Sequence, residues 1–397
     1  MLQYRGIKRL RNMRLVVTRI LMVFVLYAAS SGFAFASDLI QTKAKQAIIV
    51  DHASGVVLFS KNADERMPTS SMSKVMTMYL VFDALKRGDL KLDDTFLVSE
   101  KAWKKGGSKM FVPVGKQVKV EDLIRGVIIQ SGNDATIVLA EGLAGGEAAF
   151  AEALTKKAKE IGMHSSQFKN ASGWPDPEHY STARDLSILA SAMVTEFPSY
   201  YKYYAEKEFT FSKIRQTNRN PLLTLGIGAD GIKTGHTDDG GYGLIASGVN
   251  KDGRRMILVL NGMASKKERK QESARLLQWA LNSFKTISLF GDDAEDLAVA
   301  DVYLGKKDKI ALRAGKPLEF MVPKIFANDL KVEVNYDSPI KAPIKKGDAL
   351  GTITVHVPKG DIVEVPLVAS HSVKEMSFFT KMVMKARLLT TGEGVFK

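Results

Sequence analysis

Apolar and polar positions follow two periods along this chain, and the switches between them divide it into segments. Residues 46–60, QAIIVDHASGVVLFS, read as two apolar strands around the turn Ala53-Ser54-Gly55. From Ser71 the period lengthens: Met72, Val75, Met76, Tyr79 and Leu80 recur at helical spacing in a buried stripe ending near Gly88, and Pro68 and Thr69 mark the entry. Residues 121–160 are rich in helical pattern, as EDLIRGVII, ATIVLAEGLA and EAAFAEALTKKAKEIG. Thr182-Ala183-Arg184-Asp185 opens another apolar helix through Met193. Residues 230–262 return to strands, with GYGLIASGV and RRMILVLNG joined across Asn250-Lys251-Asp252-Gly253, and a basic helix over roughly 265–284 follows. Strands at both ends of a helical middle predict an α+β domain over 37–285, its terminal strands sharing an antiparallel sheet covered by helices.

Beyond about residue 287 short alternating segments (KIALRAG, LKVEVNY, GTITVHV, DIVEVPLV) are separated by turn residues, which predicts a small all-β domain over 286–371. The last segment, 373–389, turns amphipathic. On a helical wheel Met376, Phe378, Phe379, Met382, Val383, Ala386 and Leu389 share one half. Lys374, Thr380, Lys381 and Arg387 lie opposite, with Lys385 near the boundary. That composition suits a membrane surface, so 372–397 is expected to be an anchoring helix and tail.

The opposite end reads as a leader. A basic region to Arg19 precedes the apolar run ILMVFVLYAAS, then Ala34-Phe35-Ala36 before Ser37. This is the pattern of a signal peptide over 1–36 cleaved after Ala36. The run falls short of the ~20 residues of a spanning helix. Export is therefore expected. The formal net charge is +14, but Arg5, Lys8, Arg9, Arg11, Arg14 and Arg19 stand in the leader, and no nucleic-acid motif accompanies the rest. The absence of cysteine excludes a thiol nucleophile, a disulfide scaffold and Cys-ligated metal. Histidines 52, 164, 179, 236, 356 and 371 show no H-x-x-E-H or H-x-x-x-H pairing, which disfavours a metallopeptidase. Neither cofactor nor metal is expected.

The candidate chemistry starts with Ser71-Met72-Ser73-Lys74. Helical phase brings Lys74 up beside Ser71 at a helix start. A hydroxyl needs a base at neutral pH, and a lysine serves once burial and nearby cations lower its pKa. Spacing alone decides nothing, because S-x-x-K also begins at Ser166, Ser199 and Ser338. Two further motifs raise the first copy above the others. Ser131-Gly132-Asn133 lies between two helical patterns, and Lys233-Thr234-Gly235 opens the late strands, with Gly235 expected to let a ligand approach the strand closely.

In this order the three motifs are the signature of penicillin-binding proteins and serine β-lactamases. PTSSMSKVMT, LIRGVIIQSGNDA, YSTARDL, EKEFTFSKIRQTNRNPLL and DGIKTGHTDDGGYGLIAS extend the similarity over about 44–284. The chain resembles serine D-alanyl-D-alanine carboxypeptidases of the low-molecular-mass penicillin-binding class, whose layout also includes a β domain and an amphipathic tail. The resemblance implies removal of the terminal D-alanine from peptidoglycan stem pentapeptides through an acyl-enzyme, and covalent inhibition by β-lactam antibiotics. Ser71 would be the nucleophile and Lys74 its base, kept partly neutral by Lys233. Ser131 would pass a proton to the departing D-alanine. Asn133 would bind the substrate amide, and Lys233 and Thr234 its terminal carboxylate. The N–H groups of Ser71 and His236 would form the oxyanion hole, although the His236 side chain equally suits a plain strand residue. Gly132 stands where many β-lactamases carry Asp, which fits the carboxypeptidase branch.

Two rival readings stay open. A serine β-lactamase would need an added carboxylate for fast deacylation, with Asp176, Glu178 and Asp185 the candidates in 165–185. A non-catalytic envelope-binding protein would keep the fold without needing Ser71, Lys74, Ser131 or Lys233.

Overall fold

The computed structural model describes residues 40–291, 295–357, 362–380 and 382–383. The leader expected over 1–36 and, of the expected tail, position 381 and residues 384–397 lie outside the described residues. The chain divides into two units, one ending at Phe284 and the other beginning at Lys285.

The first unit opens with strands β1 (Gln46–Asp51) and β2 (Val57–Lys61) and helix α1 (Lys74–Arg87). A small layer follows: β3 (Thr95–Leu97), α2 (Glu100–Lys104) and β4 (Gln117–Lys119). The helical middle is α3 (Val120–Ile128), α4 (Asn133–Ala144), α5 (Glu147–Glu160), α6 (Ala183–Glu196) and α7 (Pro198–Tyr201). A hairpin, β5 (Glu208–Phe211) and β6 (Ile214–Thr217), leads into β7 (Ala229–Thr237), β8 (Gly241–Val249), β9 (Arg255–Met263) and α8 (Lys266–Asn282). The main sheet runs in the order β2-β1-β9-β8-β7, antiparallel throughout. The terminal strands share one sheet, as the order of patterns predicts.

Six consecutive residues of β9, Met256–Asn261, are buried, so both faces of the strand are covered, and α6 and α8 both pack on it. Helix α1 lies in the core: Met76, Met78, Tyr79, Val81 and Phe82 are buried, and Tyr79 and Phe82 meet Phe197 edge-on. A helix that is apolar nearly all round is an interior helix. Each large side chain buried there contributes roughly 1.5–3 kcal/mol. The core thus fixes the helix that carries the serine and lysine.

The start of α1 departs from the expected single helix. Ser70–Ser73 form a 3-10 turn, Ser70 has φ 49°, and the α-helix begins only at Lys74. The Thr69 hydroxyl makes no helix cap and instead bonds the Ser73 hydroxyl at 2.5 Å. At the other end Gly88 closes α1 in the left-handed region at φ 81°, as its position predicts.

The second unit is all-β. Its strands are β10 (Phe284–Leu289), β11 (Ala298–Tyr303), β12 (Lys309–Ala314), β13 (Leu318–Pro323), β14 (Lys331–Tyr336), β15 (Ile340–Lys341), β16 (Ala349–His356) and β17 (Ile362–Ala369). Six of them form the sheet β14-β16-β17-β12-β11-β15, and β10 pairs with β13. Alternation fills its core: Ile310, Leu312 and Ala314 from β12 with Val365, Leu367 and Ala369 from β17.

The expected tail helix begins later than its apolar pattern suggests. Val373 is buried and exchanges backbone hydrogen bonds with Ile344, and Met376 donates to the Leu304 carbonyl, so 373–376 belong to the β unit. Period-2 pairing wins there because the unit offers free backbone partners. Helical residues begin at Phe378.

Candidate active site

The 3-10 turn presents Ser71 beside the first residue of α1. Lys74 Nζ lies 2.7 Å from Ser71 Oγ, 2.8 Å from Asn133 Oδ1 and 2.6 Å from the Ser172 carbonyl. As an ammonium, Lys74 donates all three bonds. As a neutral amine it keeps two and accepts from the Ser71 hydroxyl, the geometry of a general base. Lys74 is fully buried, and burial pushes its pKa well below the ordinary lysine range; the Arg219 and Lys105 charges add to this while Asp134 opposes it. Lys233 is likewise pushed well down, by burial first and then by Lys74, Arg219 and Arg269. The two lysines oppose each other's protonation.

Ser131 sits in the tight turn between α3 and α4 at φ 65°, a conformation that costs a serine energy and is common at functional sites. Its Oγ is buried with no hydrogen-bond partner among the described residues. An orphaned hydroxyl costs about 1–3 kcal/mol, and a substrate group would relieve that cost. Asn133 is the first residue of α4. Its Oδ1 accepts from Lys74, and its Nδ2 donates to the Gly106 carbonyl at 2.9 Å. One amide hydrogen and one carbonyl lone pair remain for a ligand. Asp134 fixes the facing loop by accepting from the N–H groups of Met110, Phe111 and Val112 at 2.9, 2.9 and 3.2 Å.

Strand β7 forms the opposite wall, with Lys233, Thr234 and Gly235 buried. Gly235 plays a different part from the one expected. A Cβ there would lie 2.9 Å from the Thr69 carbonyl and 3.0 Å from the Met72 side chain, so the bare Cα lets the protein's own serine turn seat against the strand. His236 is exposed, and its ring lies 3.9 Å from that of Tyr242 across the β7–β8 pair.

The loop after α5 completes the site, and sequence patterning gave no sign of it. Ser172 supplies the carbonyl to Lys74, and the Thr77 hydroxyl donates to the Ala171 carbonyl at 2.7 Å. His179 locks the loop to the serine turn. Its Nδ1 accepts from the Lys169 N–H at 3.2 Å, so its Nε2 carries the proton and donates to Ser73 Oγ at 2.8 Å. Burial lowers the His179 pKa to about 4, Lys74 adding to the effect and Asp176 opposing it, so the ring is neutral at physiological pH. Two arginines were also missed. Arg269, buried on α8, donates to the Gly235 carbonyl at 3.3 Å, and exposed Arg219 donates to Ser108 Oγ. Arg219 lies in RQTNRNPLL, and Arg269 in a run, KKERKQES, that reads as a solvated face.

The other S-x-x-K copies assemble nothing comparable. Ser166 is bonded to Ser181 and Asp185 at 2.7 and 2.6 Å, while Lys169 pairs with Glu178 at 3.0 Å. Ser199 is exposed on α7. Ser338 receives the Asp301 N–H at 3.2 Å. Of the carboxylates a β-lactamase would need, Asp185 serves the Ser165 N–H, Glu178 serves Lys169, and Asp176 accepts from the Glu178 N–H. Among the described residues no carboxylate hydrogen-bonds Ser71 or Lys74.

Comparison with known proteins agrees with this assembly. The family model of D-alanyl-D-alanine carboxypeptidases (peptidase family S11) matches residues 33–264, and that of the penicillin-binding protein 5 C-terminal domain matches 284–375. The chain is 39% identical over 343 residues to the D-alanyl-D-alanine carboxypeptidase DacC of Escherichia coli strain K12, covering 84% of this chain and 85% of that one. The crystal structure of DacD from Francisella tularensis superposes with a TM-score of 0.75 at 31% identity, over 85% of this chain and 95% of that one. Penicillin-binding protein D2 of Listeria monocytogenes, solved in its ampicillin-bound form, gives 0.55 at 28% identity, over 60% and 98%. With its serine, two buried lysines and Ser131-Gly132-Asn133 turn gathered in one site, this chain belongs to the D-alanyl-D-alanine carboxypeptidase family of penicillin-binding serine peptidases.

Proposed function

We propose that the protein removes the terminal D-alanine from peptidoglycan stem pentapeptides through an acyl-enzyme on Ser71. The observation that carries this reading is the 2.7 Å contact between Lys74 Nζ and Ser71 Oγ, where burial and neighbouring cations favour a neutral amine. The substrate carboxylate docks on Lys233 and Thr234, with Arg269 adding positive charge behind Gly235. Asn133 holds the peptide amide, and the N–H groups of Ser71 and His236 take the carbonyl oxygen, each such donor typically contributing about 3 kcal/mol to the transition state. Lys74 takes the Ser71 proton as Oγ bonds to the carbonyl carbon. Ser131 hands a proton to the leaving nitrogen as the C–N bond breaks, and D-alanine departs. Water, relieved of a proton by Lys74 and Ser131, then cleaves the ester and restores Ser71. A β-lactam presents the same carboxylate and a reactive amide, so it acylates Ser71 by the first half of this sequence.

Around this site we place an exported protein with a cleaved leader over 1–36, a catalytic domain over 37–285, a β domain over 286–376 and a membrane-surface tail from 377 onward. It would lie on the periplasmic face of the bacterial inner membrane. Among the described residues no helix is long and apolar enough to cross a membrane. Support for surface attachment comes from Phe378, Phe379, Met382 and Val383, all exposed at the start of the tail.

The test is release of D-alanine from a synthetic pentapeptide ending in D-Ala-D-Ala. The full chain is expected to release it, and Ser71→Ala to lose roughly a thousandfold or more of kcat with unchanged far-UV circular dichroism. Equal release by that variant would overturn the reading.

A further inference from the structure

The carboxylate-binding strand and Asn133 together fix the direction in which a stem peptide lies. With its C-terminus on Lys233 and Thr234 and its amide on Asn133, the residues upstream of the scissile bond leave the site past Asn133. The groups waiting there are Gly106, Gly107, Trp174 and Lys105. Gly106 holds the Asn133 amide, and a Cβ on Gly107 would lie 2.8 Å from Asn133 Nδ2 and 3.1 Å from the Trp174 ring. Trp174 is 42% exposed despite its size. Its backbone is held at both ends by Asn170, whose Oδ1 accepts from the Trp174 N–H and whose Nδ2 donates to the Trp174 carbonyl, both at 2.9 Å. Two residues earlier the same loop holds Lys74 through the Ser172 carbonyl. The ledge is therefore rigid and tied to the catalytic lysine.

Lys105 lies over this ring, its Nζ 4.2 Å from the centroid. It has no carboxylate partner among the described residues, although many of the protein's other lysines and arginines find one. An ammonium poised on an aromatic face, beside a cleft that also holds the Arg219 and Arg269 guanidiniums, leaves a positive charge beyond the groups that take the terminal carboxylate. A single peptide residue spans about 3.5 Å, so the residue preceding the acylated D-alanine, the third of the stem, falls beside Asn133 and over the ledge.

We propose that Trp174 and Lys105 form the subsite for the third stem residue and select a side chain that ends in a free carboxylate. The aliphatic stem of that side chain lies on the indole, and its carboxylate meets the Lys105 ammonium. A diaminopimelate side chain ends in both an amine and a carboxylate, so it offers Lys105 a partner at no net charge, whereas a lysine side chain carries the amine alone and is repelled. The inference rests on the peptidase reading above.

The experiment compares two pentapeptides ending in D-Ala-D-Ala, one with diaminopimelic acid and one with lysine at the third position. The readout is the ratio of their kcat/KM values with the full chain, because a ratio cancels any common effect of the Lys105 charge on Lys74. The parent is expected to favour the diaminopimelate peptide by about fivefold or more, the effect of roughly one charge-assisted contact. Lys105→Gln brings the ratio near one, Lys105→Glu inverts it, and Lys105→Arg preserves it. Trp174→Ala lowers kcat/KM for both peptides. A ratio unchanged in Lys105→Gln and Lys105→Glu overturns the subsite alone. Release from neither peptide overturns the peptidase reading. The subsite is then still scored by how strongly each peptide slows labelling with fluorescent penicillin, and equal slowing by both peptides in the parent overturns it.

Discussion

Lys74 acts as a base only while it is neutral, so its protonation sets the low-pH side of the reaction. Its folded pKa lies below the ordinary lysine value, so the reactive form appears as pH rises through that lowered pKa and is lost as pH falls through it. Arg219 is one cause of the lowering, and it touches neither Ser71 nor Lys74 through a hydrogen bond. Arg219→Gln therefore raises the Lys74 pKa and moves the acidic limb of kcat/KM to higher pH. A pH–rate profile at low ionic strength, where an exposed charge acts most strongly, checks this. A limb that stays put would leave Arg219 without influence on the base. At this scale the sequence showed which residue types are present and little of what surrounds them. Ser71, Lys74, Ser131, Asn133 and Lys233 announce themselves because three short motifs occur in one order. Lys105, His179, Arg219 and Arg269 do not, because a surface cation and a site cation look alike until the fold brings them together.

The serine turn shows how elements convert that chemistry into geometry. Period 3.6 found the helix and four of its buried positions, Met72, Val75, Met76 and Tyr79, but Leu80 is only partly buried while Met78, Val81 and Phe82 outside that stripe are buried too. It did not reveal that Ser70–Ser73 wind as a 3-10 turn, because what sets that turn is distant: the bare Gly235 on β7 and the loop carrying Ser172. Gly173 is the tightest of these contacts. At φ 74° its Cα approaches so closely that an added Cβ would sit 1.8 Å from the Ser70 carbonyl oxygen. Gly173→Ala therefore forces the loop away and withdraws the Ser172 carbonyl from Lys74. A displacement of about 1 Å in a catalytic group costs roughly a hundredfold. The expected outcome is a penicillin-acylation rate about two orders of magnitude lower with unchanged circular dichroism. Labelling within a few-fold of the parent would contradict the account of this loop. The antiparallel pair β3–β4 and the hairpin β5–β6 escaped sequence reading for a plainer reason, since strands of three or four residues carry too few alternations.

For the whole molecule, the order of patterns was the legible part. Strands that begin and end the catalytic unit pair as β1 with β9, and the change to short alternating segments marks the second unit. The tail was read less well, because amphipathic spacing ran on into 373–376, whose backbone the β unit captures. Removal of 377–397 is therefore expected to leave the second unit intact. It should abolish sedimentation of the protein with anionic lipid vesicles, and undiminished co-sedimentation would contradict attachment through Phe378, Phe379, Met382 and Val383. The central claim, that Ser71 paired with the buried Lys74 does the chemistry, is tested most directly on the whole protein by mass spectrometry after treatment with penicillin. The account predicts one adduct per chain, mapped by peptide digestion to Ser71 and absent from Ser71→Ala. An adduct on another residue, or one that persists in that variant, would contradict it.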